Sequence, residues 1–290
     1  MLSARPERLG IVSFTNVAPL NWGLTPWSSN GGTAEFVYGV PTVLNAALAA
    51  GDIDLTLVSS IEFIRHRDRY RALSDFSIAT LGPVYSVMLF HRPDWRDLQG
   101  ARVAVTTESA TSVEMLRVLL AAEGITSELV PTSGSLDEML SGADAALLIG
   151  DAALKGAVAH LRPTVGGPSG RPVSGRSVAD PGLRVTDLGE AWYRLTRLPF
   201  TFAVWASSAD VRPSAALVSA FRDARSSGLG NLADVAAIEA EKLGLPAQIV
   251  QRYLENFRYY LEPPDLDGLV AFATRSDPGF EAGQLRFWGY

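Results

Sequence analysis

The alternation of short apolar strands with helices constrains the fold of this chain more than any other feature of its sequence. Residues 9–14, 55–58 and 145–149 are apolar runs of strand length, and segments with helical periodicity separate them along the chain. Strands that alternate with helices are typical of a parallel sheet covered by helices. The sequence therefore predicts an α/β fold with mostly parallel sheets.

Two longer apolar strands are predicted over residues 85–90 and 199–206, on either side of the middle of the chain. Strands in these positions are typical of a chain that crosses from one lobe to another and then returns. We therefore predict a discontinuous first lobe of residues 1–84 and 208–290, and a second lobe of residues 85–207. Because ligands of such folds bind beyond the carboxyl ends of parallel strands, we expect a cleft between the lobes.

The helix that follows the strand at residues 103–105 begins in a turn rich in hydroxyl groups, which come from Thr107, Ser109, Thr111 and Ser112. The start of a helix has backbone N–H groups without partners and carries the positive end of the helix dipole. Such a helix start can hold a carboxylate or a phosphate. Ser109 or Thr111 can equally act as a simple helix cap. The sequence leaves both roles open.

Small polar residues also follow the other predicted strands, and one stands at the start of the first long strand. They are Ser13, Asn16, Ser59, Ser60, Ser86 and Asp151. Any one of them is more often a turn former or a cap than a ligand contact. Their recurrence at strand ends favours a neutral, donor-rich cleft suited to a small polar acid.

The composition excludes several classes of chemistry and of partner. The chain contains no cysteine, which rules out thiolate nucleophiles, cysteine–zinc sites and disulfides. Its formal net charge of −6 gives no general attraction for nucleic acid or an anionic membrane, and we expect neither as a partner. The three histidines belong to no hydrolase or zinc motif. Glu62 and His66 have metal-ligand spacing but lack a third ligand, so no metal is expected.

Two further regions bear on where the protein resides and on its loops, namely the N-terminus and residues 161–182. Arg5, Glu7 and Arg8 stand where a signal peptide has its apolar core, and no apolar run reaches the length of a membrane span. We therefore expect a cytoplasmic protein. Residues 161–182 are rich in Gly, Pro and Ser and predict a surface loop, for which a tolerated insertion and a lid both remain open.

Six segments of the chain resemble the menaquinone-biosynthesis family of the futalosine route. They are FTNVAPL (14–20), EFVYGVPTVLNAALAAGDIDLTLVSSIEF (35–63), ATLGPVYSVMLF (79–90), TTESATSVEML (106–116), DAALLIGDAAL (144–154) and DLGEAWYRLTRLPFTFAVW (187–205). The resemblance spans nearly the whole chain and, within the family, is to the chorismate dehydratases. It implies the two-lobed fold of type II periplasmic binding proteins. It also implies elimination of water from chorismate, giving 3-[(1-carboxyvinyl)oxy]benzoate, without a cofactor.

The resemblance assigns roles to particular residues. Asn16 and Ser86 match residues in the family's motifs and are expected to be catalytic, orienting the reacting centre and the leaving hydroxyl. One carboxylate of this dicarboxylate substrate is assigned to the helix start at Ser109, Ala110, Thr111 and Ser112. Further substrate-binding residues are expected at Ser13, Ser59, Ser60, Thr107 and Asp151. The general base stays open between Asp151, Glu62 and the enolpyruvyl carboxylate of the substrate itself.

Other functions fit parts of the same pattern. The sister enzyme of the family, 1,4-dihydroxy-6-naphthoate synthase, has a Cys-Pro-Asn-Asp-type segment after its first strand and relies on a histidine. Here that segment is Thr15-Asn16-Val17-Ala18-Pro19, which favours the dehydratase. A non-catalytic binding protein for a small carboxylate and a regulatory effector domain are further alternatives. The oligomeric state is left open.

Overall fold

The computed structural model describes residues 6–25, 27–29, 32–161, 175–281 and 283–289. The chain divides into two compact units. Unit 1 consists of Met1–Ala79 and Thr201–Tyr290, and unit 2 consists of Thr80–Phe200.

The first segment of unit 1 alternates strands with short helices. Its elements are β1 (Glu7–Val12), α1 (Ala18–Asn21), β2 (Trp27–Ser29), β3 (Gly32–Gly39), α2 (Pro41–Ala50), β4 (Leu55–Ser59), α3 (Ser60–Arg65) and β5 (Tyr70–Thr80). A 3-10 turn at Thr15–Val17 joins β1 to α1. Pro41 begins α2, where its missing N–H group leaves no helical hydrogen bond unmade. Gly51 ends the helix in the left-handed conformation, with a φ of 77°.

Unit 2 continues the alternation. Its elements are β6 (Val87–His91), a 3-10 turn (Trp95–Leu98), β7 (Arg102–Val105), α4 (Ala110–Ala122), β8 (Glu128–Pro131), α5 (Leu136–Ser141), β9 (Ala145–Ile149), α6 (Gly150–His160), β10 (Gly175–Arg176), β11 (Arg184–Asp187) and α7 (Leu188–Thr196). The predicted loop at 161–182 falls partly outside the described residues, at 162–174. Its described end contains β10, which pairs with β11.

The chain then returns to unit 1, and most of its remaining residues lie in helices. The elements are β12 (Phe200–Ser208), α8 (Ala215–Gly230), α9 (Leu232–Leu243), α10 (Ala247–Glu255), β13 (Phe257–Arg258), α11 (Pro263–Ser276) and β14 (Phe287–Trp288). Through the described ranges, every helix is too short or too polar to cross a membrane.

The described strands form one mixed sheet in each unit. In unit 1 the order is β13-β5-β12-β4-β1-β3-β2, with β14 beside β5. There β1 pairs in parallel with β3 and β4, whereas β12 runs antiparallel to β4. In unit 2 the order is β10-β11-β6-β9-β7-β8, with β7 parallel to β8 and β9, and β6 antiparallel to β9 and β11.

Fewer neighbouring strands are therefore parallel than the sequence predicted, and each sheet is mixed rather than mostly parallel. The two long strands predicted as crossings, β6 and β12, are the ones that run against their central neighbours. Parallel neighbours require a crossover connection that returns the chain to the same end of the sheet.

The apolar core of each unit lies between its sheet and its helices. In unit 1 the indole of Trp205 on β12 contacts Phe221 of α8, with ring centroids 4.4 Å apart. In unit 2 Met88 and Phe90 of β6 pack in a buried cluster with Ala153 of α6. Because these strands are held firmly by packing, the turns at their ends have fixed positions.

Candidate active site

Asn16 lies in the 3-10 turn that follows β1, an inner strand of the unit 1 sheet. Its amide oxygen Oδ1 is buried and has no hydrogen-bond partner in the described part of the chain. An unsatisfied buried acceptor costs about 1–3 kcal/mol, and nearly all such atoms in proteins have a partner. The oxygen therefore has acceptor capacity that no described residue uses.

The turn that carries Asn16 is fixed from two sides. The hydroxyl of the buried Thr15 donates to Oε2 of Glu239 on α9 at 3.3 Å. On the other side, Gly228 of α8 lies against the backbone of Pro19 in α1, so closely that a Cβ at residue 228 would lie 2.8 Å from the carbonyl carbon of Pro19. Only glycine permits this approach of the two helices.

The serines at the ends of β1 and β4 differ in their surroundings. Ser13 is exposed. The hydroxyl of Ser59, 6% exposed, accepts a hydrogen bond from Nδ2 of Asn45 at 3.2 Å. Ser60 is fully buried, and its hydroxyl donates to the carbonyl of Thr201 at 2.6 Å. These contacts fit Ser60 to a structural role that joins α3 to β12.

Asn45 is a polar residue near this group that the sequence pattern does not single out. It lies in α2, is 8% exposed, and its Oδ1 is buried with no partner among the described residues. Within the apolar stretch Leu44–Leu48 it stands alone as an amide. A buried amide on an otherwise apolar helix face is the signal that could have found it.

Ser86 stands directly before β6 in unit 2. Its side chain is buried, and its hydroxyl donates to the carbonyl of Val84 at 3.3 Å. Its own carbonyl accepts a hydrogen bond from the N–H of Gly150 at 2.8 Å, which ties it to the start of α6. Tyr85, the residue before it, adopts a left-handed conformation with a φ of 62°.

Asp187, at the end of β11, organises this segment. Its two carboxylate oxygens accept hydrogen bonds from the N–H of Val84 at 3.1 and 3.0 Å, and one of them also accepts from Tyr85 N–H at 2.7 Å. The other oxygen caps α7 by accepting from Glu190 N–H at 3.0 Å. Burial raises the pKa of Asp187 to about 6, although its three backbone donors act in the opposite direction.

Asp187 was not among the predicted site residues, although the sequence around it contains a recognisable helix-capping pattern. Residues 187–190 read DLGE, in which an acidic residue precedes a helix and a glutamate follows three positions later. This spacing is typical of a helix N-terminus. The pattern predicts the cap, but it does not predict the hydrogen bonds to residues about a hundred positions earlier.

At the hydroxyl-rich start of α4, one of the hydroxyl groups caps the helix. Oγ of Ser109 accepts from the N–H of Ser112 at 3.1 Å and donates to Oγ of Ser112 at 3.0 Å. Thr111 and Ser112 are buried, whereas Ala110 is exposed. Thr107 is also exposed and hydrogen-bonds to Ser133 at 3.1 Å. The capping role is therefore confirmed for Ser109, and the dipole of a 13-residue helix remains directed at this turn.

The acidic candidates for a general base lie in different settings. Asp151 is half-buried in the first turn of α6. Glu62 of α3 lies 3.7 Å from the imidazole of His66 and accepts a hydrogen bond from Tyr70 at 3.3 Å. Burial and the proximity of Glu62 raise the pKa of Tyr70 to about 12. Across the described residues, no three carboxylates or imidazoles are grouped so as to hold a metal ion.

Known structures share the fold of this chain at low sequence identity. Protein AF1704 from Archaeoglobus fulgidus superposes with a TM-score of 0.66 at 18% identity, over 93% of this chain and 96% of the other. The periplasmic aliphatic sulphonate binding protein SsuA from Escherichia coli gives a TM-score of 0.59 at 17% identity, over 98% and 93%. The predicted periplasmic-binding-protein-like α/β fold is therefore confirmed.

Sequence comparison extends the likeness to a family. A chorismate dehydratase from Thermus thermophilus is 44% identical over 269 residues, which cover 93% of this chain and 94% of that protein. The family model described as menaquinone biosynthesis matches residues 7–277. A match over this length includes every strand of the unit 2 sheet and all the candidate site residues. This chain belongs to the menaquinone biosynthesis family.

Proposed function

We propose that this chain is a chorismate dehydratase, a hydro-lyase that converts chorismate to 3-[(1-carboxyvinyl)oxy]benzoate and water without a cofactor. The observation that carries the proposal is the 44% identity to a chorismate dehydratase over nearly the full length of both chains. The absence of cysteine, together with the segment Thr15–Pro19, favours this activity over that of the sister synthase. We further propose a cytoplasmic location and no nucleic-acid or membrane partner.

The reaction needs fixed hydrogen-bond donors more than it needs a strong acid or base. The proton to be lost lies on the ring carbon that bears the enolpyruvyl ether, and a double bond conjugates this carbon to the ring carboxylate. Negative charge therefore develops towards that carboxylate as the proton leaves. Departure of the neighbouring hydroxyl then gives an aromatic ring. No net oxidation or reduction occurs, so proton transfer and charge stabilisation suffice.

Asn16 is proposed to orient the reacting centre. Its buried Oδ1, without a partner in the described structure, supports this assignment because a hydrogen bond from the substrate would satisfy it. Ser86 is proposed to orient the leaving hydroxyl. Its hydroxyl bond to the carbonyl of Val84 is long at 3.3 Å, so exchanging that bond for one to the substrate has a low cost.

The start of α4 is proposed to hold a carboxylate of the substrate. The helix has hydroxyls at Ser109, Thr111 and Ser112, and its dipole places positive potential at the same turn. One preorganised donor can stabilise developing negative charge by roughly 3–4 kcal/mol. The other proposed substrate-binding residues are Ala110, Ser13, Ser59, Thr107 and Asp151.

The enolpyruvyl carboxylate of the substrate is proposed as the general base. This group is attached through the ether oxygen to the carbon that loses the proton, so the transfer is intramolecular and favoured by proximity. Glu62 is engaged with His66 and Tyr70, which fits a structural role. Asp151, in the first turn of α6, is the alternative base on the protein.

The test is to incubate the purified protein with chorismate and to follow the products by mass spectrometry. We expect loss of one water from chorismate. In the Asn16→Ala and Ser86→Ala variants we expect turnover to fall by about 100-fold while the fold survives, because misplaced reacting groups cost about that much. Ser77→Ala removes a buried hydroxyl of β5 that donates to the carbonyl of Arg258 in β13, and it is the matched control for Ser86.

Each outcome of this test has a defined meaning. Unchanged chorismate with an unshifted melting temperature would contradict the proposal, whereas unchanged chorismate that raises the melting temperature would indicate a binding protein. Dehydration at normal rates by both alanine variants would leave the activity standing and overturn the two residue assignments.

A further inference from the structure

We propose that Asp187 is a positioning residue for Ser86, because it holds the left-handed backbone of Tyr85 that places Ser86 at the start of β6. The proposal rests on the proposed function, in which Ser86 orients the leaving hydroxyl. Asp187 is not proposed to contact the substrate. It acts through the backbone of residues 84 and 85.

The conformation of Tyr85 requires an external cause. Among the described residues other than glycine, Tyr85 and Arg197 have a positive φ. Arg197 is the C-terminal cap of α7, where the left-handed conformation is common. Tyr85 ends no helix, and a bulky side chain makes the left-handed conformation unfavourable. Such a conformation persists only where the surrounding structure holds it.

The carboxylate of Asp187 supplies the holding contacts. The N–H groups of Val84 and Tyr85 both point at its Oδ2, at 3.0 and 2.7 Å. The N–H of Tyr85 belongs to the peptide plane on one side of the φ bond of that residue, and the two hydrogen bonds fix this plane. The pairing of β6 with β11 fixes the chain on the other side, so φ of Tyr85 is held between the two. The side chain of Asp187 is fully buried, so water does not compete for these two donors.

Packing keeps Asp187 itself in place. Asp187 pairs with Met88 in the register of β11 and β6, and its second oxygen caps α7 through Glu190 N–H. Gly189 in the first turn of α7 lies so close to the preceding turn that a Cβ there would be 2.6 Å from the carbonyl oxygen of Gly82. Helix, strand and turn therefore fix the carboxylate relative to the segment that leads into Ser86.

The first experiment compares Asp187→Asn with the wild type. Asparagine has the same shape but presents an NH₂ group where one carboxylate oxygen now accepts hydrogen bonds. We expect kcat for chorismate dehydration to fall by about 10-fold to 100-fold, as for other small displacements of catalytic groups, with little change in KM. Asp54→Asn is the matched control, because Asp54 is also buried and accepts a backbone N–H, from Arg8 at 2.8 Å, and its variant should keep kcat.

Two double variants separate positioning from general destabilisation. In the Ser86→Ala background, Asp187→Asn should have almost no further effect on kcat, since the residue through which it acts is gone. In the Tyr85→Gly background its effect should shrink several-fold, because glycine adopts a positive φ without support. Tyr85→Phe controls for loss of the phenol. If Asp187 had only a structural role, Asp187→Asn would lower the melting temperature by the same amount in every background.

The outcomes are distinguishable from failure of the proposed function. If wild-type protein does not dehydrate chorismate, the proposed function fails and this proposal fails with it. If the wild type is active and Asp187→Asn retains its kcat, only the positioning role is overturned. It is overturned equally if the effects of Asp187→Asn and Ser86→Ala on kcat simply multiply.

Discussion

Replacing Gly228 with alanine tests whether the packing of α8 controls the position of Asn16. The new Cβ would lie 2.8 Å from the carbonyl carbon of Pro19, 2.9 Å from its Cα, and closer still to its carbonyl oxygen. These neighbours are backbone atoms, so no flexible side chain can move aside. To restore an ordinary contact, α1 and α8 must separate by about 1 Å. Pro19 follows Asn16 by three residues, so Asn16 moves with it.

The expected magnitudes follow from this displacement. Overpacking a well-packed contact costs about 1–3 kcal/mol, and the better helix propensity of alanine offsets about 1 kcal/mol of that. Displacement of a catalytic group by about 1 Å lowers turnover by about 100-fold. Urea denaturation gives the free energy of unfolding, and steady-state dehydration of chorismate gives kcat. We therefore expect Gly228→Ala to lose far more activity than stability.

Gly230→Ala is the matched control in the same helix. Nothing lies within 4 Å of a Cβ at this position. Alanine there should keep kcat and raise stability by about 0.5 kcal/mol, because it restricts the unfolded chain. Gly228→Ala with normal turnover and reduced stability would refute the proposed link from α8 to Asn16. Normal values of both would refute the close contact itself.

Two further predictions concern buried polar groups. Folding raises the pKa of Asp187 from 3.8 to about 6, so the native protein binds this proton more tightly than the unfolded chain. The resulting stability is fully present below pH 3.8 and is lost as the pH rises through about 6. From pH 7 to pH 5, urea denaturation should show the wild type gaining about 1 kcal/mol over Asp187→Asn, and a pH-independent difference would contradict the shift. Ser60→Ala removes the hydrogen bond to the carbonyl of Thr201. It should cost about 1 kcal/mol and leave KM for chorismate unchanged, whereas a raised KM would restore Ser60 to the binding site.

The elements predicted most accurately are those whose ends carry a chemical signal. Pro41 and Gly51 bound α2, and Ser109 caps α4 where the hydroxyl-rich turn predicts a helix start. By contrast, α6 follows β9 with no intervening turn residue, and its start at Gly150 gives no sign of a helix. Strand direction could not be predicted for β6, because apolar periodicity is the same in parallel and antiparallel strands.

The candidate site also contains residues that nearby sequence predicts and residues whose role depends on contacts far away in the chain. Asn16 and Ser86 stand beside strands, where the topology of an α/β fold predicts ligand contacts. Asp187 contacts Val84 across about a hundred residues of chain, and no local pattern encodes that pair. The burial of Ser60 likewise follows from β12, which joins the sheet far later in the sequence.

The two residues proposed to be catalytic, Asn16 and Ser86, are neutral, whereas the residues that hold their segments in place, Glu239 and Asp187, are acidic. A positive side chain would already bind the carboxylates of chorismate strongly before the reaction, and the part of the binding energy that substrate and transition state share does not raise kcat. Fixed neutral donors such as the start of α4 gain strength as charge moves onto the ring carboxylate. Fixing them requires anchors that do not shift, which the buried carboxylate of Asp187 provides for Ser86 through three backbone donors. Loss of an anchor should therefore affect kcat more than KM.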